Sequence, residues 1–223
     1  MKIMMKRVIG NMCGFLLLVG FGFTSGAASA SYIEDFNDGS AQGWSLNGLW
    51  HVTGNSPNGT QALGYVQNET AGTTLNGDFD TQAANSGTAT TPTLTCGSSC
   101  LLSFDWLDES EGSSFDVLSL QVLLPSIEVT LFSTLNVSST SNYANYSTDL
   151  LSLLTPGSSF QLQFLFNTVD PVANTSAGAR IDNVTLDTGP VANVPEPSPL
   201  LLLLASLLGL TVSRRWTTAP GAR

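Results

Sequence analysis

Phe160-Gln161-Leu162-Gln163-Phe164-Leu165-Phe166 is the stretch that decides the fold class. Phe160, Leu162, Phe164 and Phe166 fall on one side of a period-two repeat, with Gln161 and Gln163 on the other. Such alternation predicts a half-buried β-strand, because successive side chains leave a strand on opposite faces. Outward from it the pattern recurs. Leu118, Leu120, Val122 and Leu124 share a face, with Ser119 and Gln121 opposite. Ile127, Val129 and Leu131 follow after Pro125, which reads as a turn or bulge. Leu102, Phe104 and Trp106 form another apolar face. Further candidates are Tyr32 to Phe36, Leu49 to Thr53, Ala62 to Val66, Gly87 to Thr95 and Arg180 to Leu186. That makes about nine or ten strands between turn signals. Leu150 to Leu154 reads as a single helical turn ending at Pro156-Gly157, and no longer helix is evident in this interval. The expectation is an all-β domain, a β-sandwich or jelly roll, over residues 31–189.

Composition agrees. Charged residues make up 11% of the 223, less than half of the share of about 25% usual in globular chains. Gly, Ser, Thr and Asn take their place, which suits short strands joined by turns. The charge is unevenly placed. Of seven basic residues only Arg180 lies in the middle interval, together with sixteen of the seventeen acids. A domain of about −15 repels phosphate backbones, so nucleic-acid binding is excluded. It attracts cations, calcium above all, because hard oxygen ligands are plentiful.

The two ends read as addresses. Lys2, Lys6 and Arg7 precede an apolar run from Val8 to Phe23, and Ala28-Ser29-Ala30 supplies the small residues that a signal peptidase needs. Residues 1–30 are therefore read as a signal peptide with a helical core, and Ser31 as the first residue of the mature chain. Residues 190–223 form a linker and a tail. Val194-Pro195-Glu196-Pro197 is stiff and extended. An apolar run from Leu200 to Val212 follows, and then Arg214-Arg215. The apolar run is short against the roughly 20 residues of a comfortable helical span. The Arg pair holds it at the cytoplasmic side, with the domain outside.

This order of Pro-Glu-Pro, Leu-rich run and Arg pair resembles the PEP-CTERM sorting signal of Gram-negative bacteria. The resemblance covers Val194 to Arg223 and implies a hydrophobic C-terminal transmembrane helix and cleavage by an exosortase-type membrane protease. It also implies a place in the envelope, on the outer surface or in the extracellular matrix, in an exopolysaccharide and biofilm context. The tail after Arg215 is longer than is usual for that signal.

A second resemblance covers the domain. Glu34-Asp35-Phe36-Asn37-Asp38-Gly39, Gly43-Trp44, Gly48-Leu49-Trp50-His51, Leu102 to Trp106, Phe115 to Leu118 and Ala179 to Leu186 are similar in order to MAM-like jelly-roll modules of secreted bacterial proteins. It implies carbohydrate-binding or adhesion relatives. It also implies a calcium ion shared by the opening and closing strands, here through Asp35, Asn37 and Asp182. If Asp182 shares the inward face of Val184 and Leu186, its carboxylate needs a cation or several donors.

Other candidates are weighed from the residues themselves. Cys96-Gly-Ser-Ser-Cys100 predicts a tight disulfide in an oxidising compartment. Cys13 lies in the segment to be removed. Trp44, Trp50 and Trp106 are aromatic faces that could stack on sugar rings, or core residues. Asp105, Asp108, Glu109, Glu111 and Asp116 form an acidic run in which a glycosidase pair is conceivable, although a solvated loop is the ordinary reading. His51 is the single histidine, expected to pack beside Trp50, and no nucleophile elbow is present. Six Asn-x-Ser/Thr sequons begin at Asn58, Asn68, Asn136, Asn145, Asn174 and Asn183. The functional expectation is an exported, non-enzymatic surface or matrix protein that binds polysaccharide or another matrix component. The alternatives are a purely structural surface module or a hydrolase acting on polysaccharide.

Overall fold

The computed structural model describes residues 29–112, 114–135 and 140–190. The core of the signal segment with Cys13 and Ala28 lies outside these residues. So do Asn136 and the tail with Val194, Pro195, Glu196, Pro197, Arg214 and Arg215. Among the described residues no helix is long and apolar enough to cross a membrane.

The strands are β1 (Ser29–Glu34), β2 (Ser45–Leu46), β3 (Trp50–Thr53), β4 (Ala62–Tyr65), β5 (Ser86–Thr90) and β6 (Leu94–Thr95). They continue with β7 (Leu101–Glu109), β8 (Asp116–Leu124), β9 (Ile127–Ser133), β10 (Ala144–Asp149), β11 (Ser159–Thr168) and β12 (Gly178–Pro190). They form two six-stranded sheets, antiparallel throughout. The first has the order β10-β7-β12-β4-β3, with β1 also on β12; the second has the order β2-β5-β11-β8-β9, with β6 also on β11.

The sandwich closes through the apolar faces that the alternation marked. Phe160, Leu162, Phe164 and Phe166 of β11 are buried against Leu118, Leu120 and Val122 of β8. From the first sheet come Leu102, Phe104 and Trp106 of β7, Leu63 and Tyr65 of β4, and Ala179, Ile181, Val184 and Leu186 of β12. The sheets meet ring to ring, with Phe104 and Phe164 centroids 5.0 Å apart and Tyr65 and Phe166 4.8 Å apart. Each such side chain, fully buried, stabilises the fold by about 1.5–3 kcal/mol.

Three sequence expectations change. Gly87 to Thr95 is two strands, β5 and β6, separated by Thr91-Pro92-Thr93, since Pro92 has no N–H for a ladder. β10 and the short β2 join the list; in β10 the only large apolar residue is Tyr146, so its period is faint. Asp182 does not share the face of Val184. β12 slips register against β7 between Asp182 and Thr185, and Asn183 has φ 50°. The extra residue of this bulge lets Ile181 and Val184 both point inward, and so turns Asp182 outward with Arg180. The predicted turn at Leu150 is a 3-10 helix, Leu150–Ser152, capped by Asp149, which accepts from the Leu151 N–H.

β1 and β12 run antiparallel, with Ser29 opposite Pro190. Both ends of the domain therefore leave at one pole. The Cys96–Cys100 disulfide sits at the same pole. Its loop donates Ser99 N–H to the Thr188 carbonyl of the first sheet and Cys96 N–H to the Ser158 carbonyl beside the second.

Candidate functional site

The expected site residues separate in space. Trp44, Trp50 and Trp106 are 9%, 4% and 8% exposed, so they are core residues and offer no face to a sugar. Their packing shows why. Trp44 stacks on Phe164, and its Nε1–H donates to the Tyr32 hydroxyl at 2.6 Å. Trp50 Nε1–H donates to the Gly87 carbonyl at 3.0 Å, across the sandwich. Trp106 lies 4.9 Å from Phe132. Each indole fills inter-sheet volume and gives its one donor, where bonded, to a neighbour.

The acidic run is divided by strand alternation. Asp105 faces out of the first sheet, where its oxygens accept from Asn145 Nδ2 and Asn183 Nδ2, each at 2.8 Å. Asp108 and Asp116 lie inside, 2% and 1% exposed. Thr134 Oγ1 donates to Asp108 at 2.8 Å, and Glu111 N–H to Asp116 at 3.2 Å. Burial pushes both carboxyls up, Asp116 to about 6, with the charges of Asp108, Glu111 and Asp170 adding to it. Carboxyls so enclosed cannot touch a polysaccharide.

The three residues expected at a calcium ion have other partners. Asp35 is exposed and accepts its own turn's Asn37 N–H at 3.1 Å; Asn37 Oδ1 accepts from Gln61 N–H at 3.2 Å. Asp182 is buried and accepts from Asn58 Nδ2 and Thr60 Oγ1, both at 3.2 Å, and from Asn183 N–H at 2.7 Å. Burial raises its pKa while these donors oppose the rise. Among the described residues no three His, Cys, Asp or Glu side chains form a metal-holding group.

His51 contacts Glu69 through Nε2 at 2.5 Å. Arg180, 0% exposed, donates to the Asn55 carbonyl, Asn55 Oδ1 and the Ala177 and Ala179 carbonyls at 2.7–3.1 Å. Burial lowers its pKa to about 10, so it stays charged. Asn55 in turn donates to the carbonyls of Thr70, Gly72 and Thr74. Arg180 thus pins a loop over the outer face of the first sheet.

The outer face of the second sheet is different. Register aligns Thr90 of β5, Gln163 of β11, Gln121 of β8 and Thr130 of β9 in one row across four strands. These four residues are half-buried or exposed. Gln163 Nε2 donates to Thr90 Oγ1 at 3.0 Å, and in the next row Gln161 Nε2 donates to the Thr91 carbonyl at 2.9 Å. Strands β2, β5, β6 and β11 carry no charged residue; β8 and β9 carry Asp116, which is buried, and Glu128. At the end of the face, a pocket of ≈ 250 Å³ is lined by the polar Thr93, Ser159 and Gln161 and the apolar Leu123, Leu124, Pro125 and Phe160. The signal for this face was in the sequence, as the polar half of the alternation.

No family model matches the sequence, and no curated protein matches it. Solved structures with a similar outline include TmCBM61 in complex with β-1,4-galactotriose, at 13% identity and TM-score 0.44 over 70% of this chain and 94% of that one. A cleaved adhesin domain of Lys-gingipain from Porphyromonas gingivalis matches at 12% identity and TM-score 0.44, over 72% and 99%. A carbohydrate-binding module specific for non-crystalline cellulose, CBM28, matches at 15% identity and TM-score 0.43, over 70% and 93%. Likenesses this distant decide nothing about what the present chain binds.

Proposed function

We propose that this chain is an exported, non-enzymatic jelly-roll module that binds polysaccharide on the outer face of its second sheet. The observation that carries the reading is the uncharged row Thr90–Gln163–Gln121–Thr130 beside an amphipathic pocket. Amides and hydroxyls both donate and accept, as sugar hydroxyls do. A lining of both polar and apolar residues suits a sugar ring, which has an apolar face and a polar rim. Fixed strands hold the row at the inter-strand spacing of about 4.8 Å, so little ordering cost falls on binding.

The terminal addresses complete the proposal: a signal peptide cut between Ala30 and Ser31, and a PEP-CTERM tail taken by an exosortase-type protease in a Gram-negative envelope. Cutting at Ser31 would leave the pairs from Ser31–Asp187 to Glu34–Val184 intact. Calcium at Asp182 is a separate proposal. An ion there would displace the Asn58 and Thr60 donors, and a melting temperature unchanged by calcium or chelator overturns it.

The test is binding of the purified protein to a panel of matrix polysaccharides, with Gln121→Ala and Gln163→Ala as variants. Binding lost in the variants at unchanged melting temperature supports the reading. No binding to any polysaccharide overturns it in favour of a purely structural surface module, which the burial of Trp44, Trp50 and Trp106 favours. Turnover of a polysaccharide, lost in Asp105→Asn, would instead establish a hydrolase.

A further inference from the structure

We infer that the polysaccharide is uncharged, and that the domain discriminates against uronate, sulfate and phosphate-bearing glycans. This rests on the glycan-binding reading of the second sheet and narrows its ligand class.

Recognition of an anionic glycan needs a cationic donor or a bridging cation, since a carboxylate or sulfate leaves water only for a charge-assisted partner. The domain offers no cationic side chain at this face. Residues 31–189 contain no Lys, and their single Arg is Arg180. Arg180 is fully buried in the first sheet and gives its donors to Asn55, Ala177 and Ala179. His51, the remaining group that can become cationic, is on β3 of the first sheet and is held by Glu69. Sixteen acids surround these two groups, giving a field that repels anions before contact. A neutral ligand does not meet this repulsion, and the outward row of the second sheet offers it amides and hydroxyls alone.

The charge pattern is therefore a specificity device: the polar face supplies attraction and the surrounding carboxylates supply rejection. The pocket agrees, since Thr93, Ser159 and Gln161 line it without a charged side chain.

The experiment is isothermal titration or affinity electrophoresis of the purified protein at low ionic strength with two sets of probes. The neutral set is a β-glucan, a galactan and a xylan; the anionic set is polygalacturonate, alginate and a sulfated galactan. Neutral binding at least about tenfold tighter than any anionic binding is expected, with the gap narrowing as salt screens the field. Anionic probes that bind as tightly as neutral ones, without added divalent cation, overturn the inference and leave the glycan-binding reading standing. Silence with both sets overturns that reading and the inference with it. Gln121→Arg supplies the missing donor and is expected to bring anionic binding up while its melting temperature holds. An Arg there that changes nothing also counts against the inference.

Discussion

In the first sheet β12 runs beside β7 along one edge and beside β4 and then β1 along the other; in the second, β11 runs beside β8 along one edge and beside β5 and then β6 along the other. Both sheets present an apolar face inward. They differ in what is placed outward. The first holds Asp105, Arg180 and Asp182, and spends a loop and several amides in satisfying them. The second holds Gln, Thr and Ser, with Glu128 alone as an exposed charge in the neighbouring row, and among the described residues no loop is tied over them by a buried charge. The difference teaches that charges buried under a loop have to be paired or hydrogen-bonded there, whereas a neutral polar face left in water can stay free for a ligand.

The comparison breaks most visibly at Arg180. Arg180→Met removes the donor to four buried oxygens and is expected to cost about 3–5 kcal/mol in urea unfolding. A loss below about 1 kcal/mol would mean that the loop at Asn55 is held without it. Next in size is the clasp between the sheets at the pole of the two ends. Replacing Cys96 and Cys100 by Ser is expected to cost about 2 kcal/mol, since the closed loop is short; an equal melting point under reducing and oxidising conditions would count against the clasp.

A third expectation concerns pH. The buried carboxyls of Asp108 and Asp116, whose pKa values are raised, favour the folded state when protonated. That contribution is full below the ordinary carboxylate pKa. It declines as pH rises through about 6 for Asp116 and is absent above. The melting temperature should therefore fall by a few degrees between about pH 4 and pH 6, and Asp116→Asn should flatten this dependence; a profile unaltered by the substitution would show that Asp116 does not titrate in this range. The smallest effect sharpens the contrast between faces. Gln163→Ala is expected to weaken glycan binding about five- to tenfold, the worth of one or two hydrogen bonds, while Asn145→Ala on the first sheet leaves it unchanged.

Much of the fold was legible because β11, β8 and β7 alternate strictly, and burial of one side of a strand leaves little freedom in register. β10 was not legible, since Asn145, Ser147 and Asp149 outnumber its apolar residues. The site was harder to read. Trp44, Trp50 and Trp106 are the residues a sugar would stack on, and equally those that best fill an inter-sheet space; the chain alone cannot choose between the two. The inference at Asp182 went astray because it assumed unbroken alternation past Asn183.

By itself, then, the sequence determined the all-β class, the apolar face of each long strand, the lopsided charge and the paired cysteines, because these depend on local period and composition. The tertiary structure decided the rest. It placed the indoles inside, turned Asp182 outward through a one-residue bulge, buried the domain's single arginine, and aligned Thr90, Gln163, Gln121 and Thr130 from four separate strands into one neutral row. That row depends on which strands become neighbours, and strand order is set by packing between residues far apart in the chain.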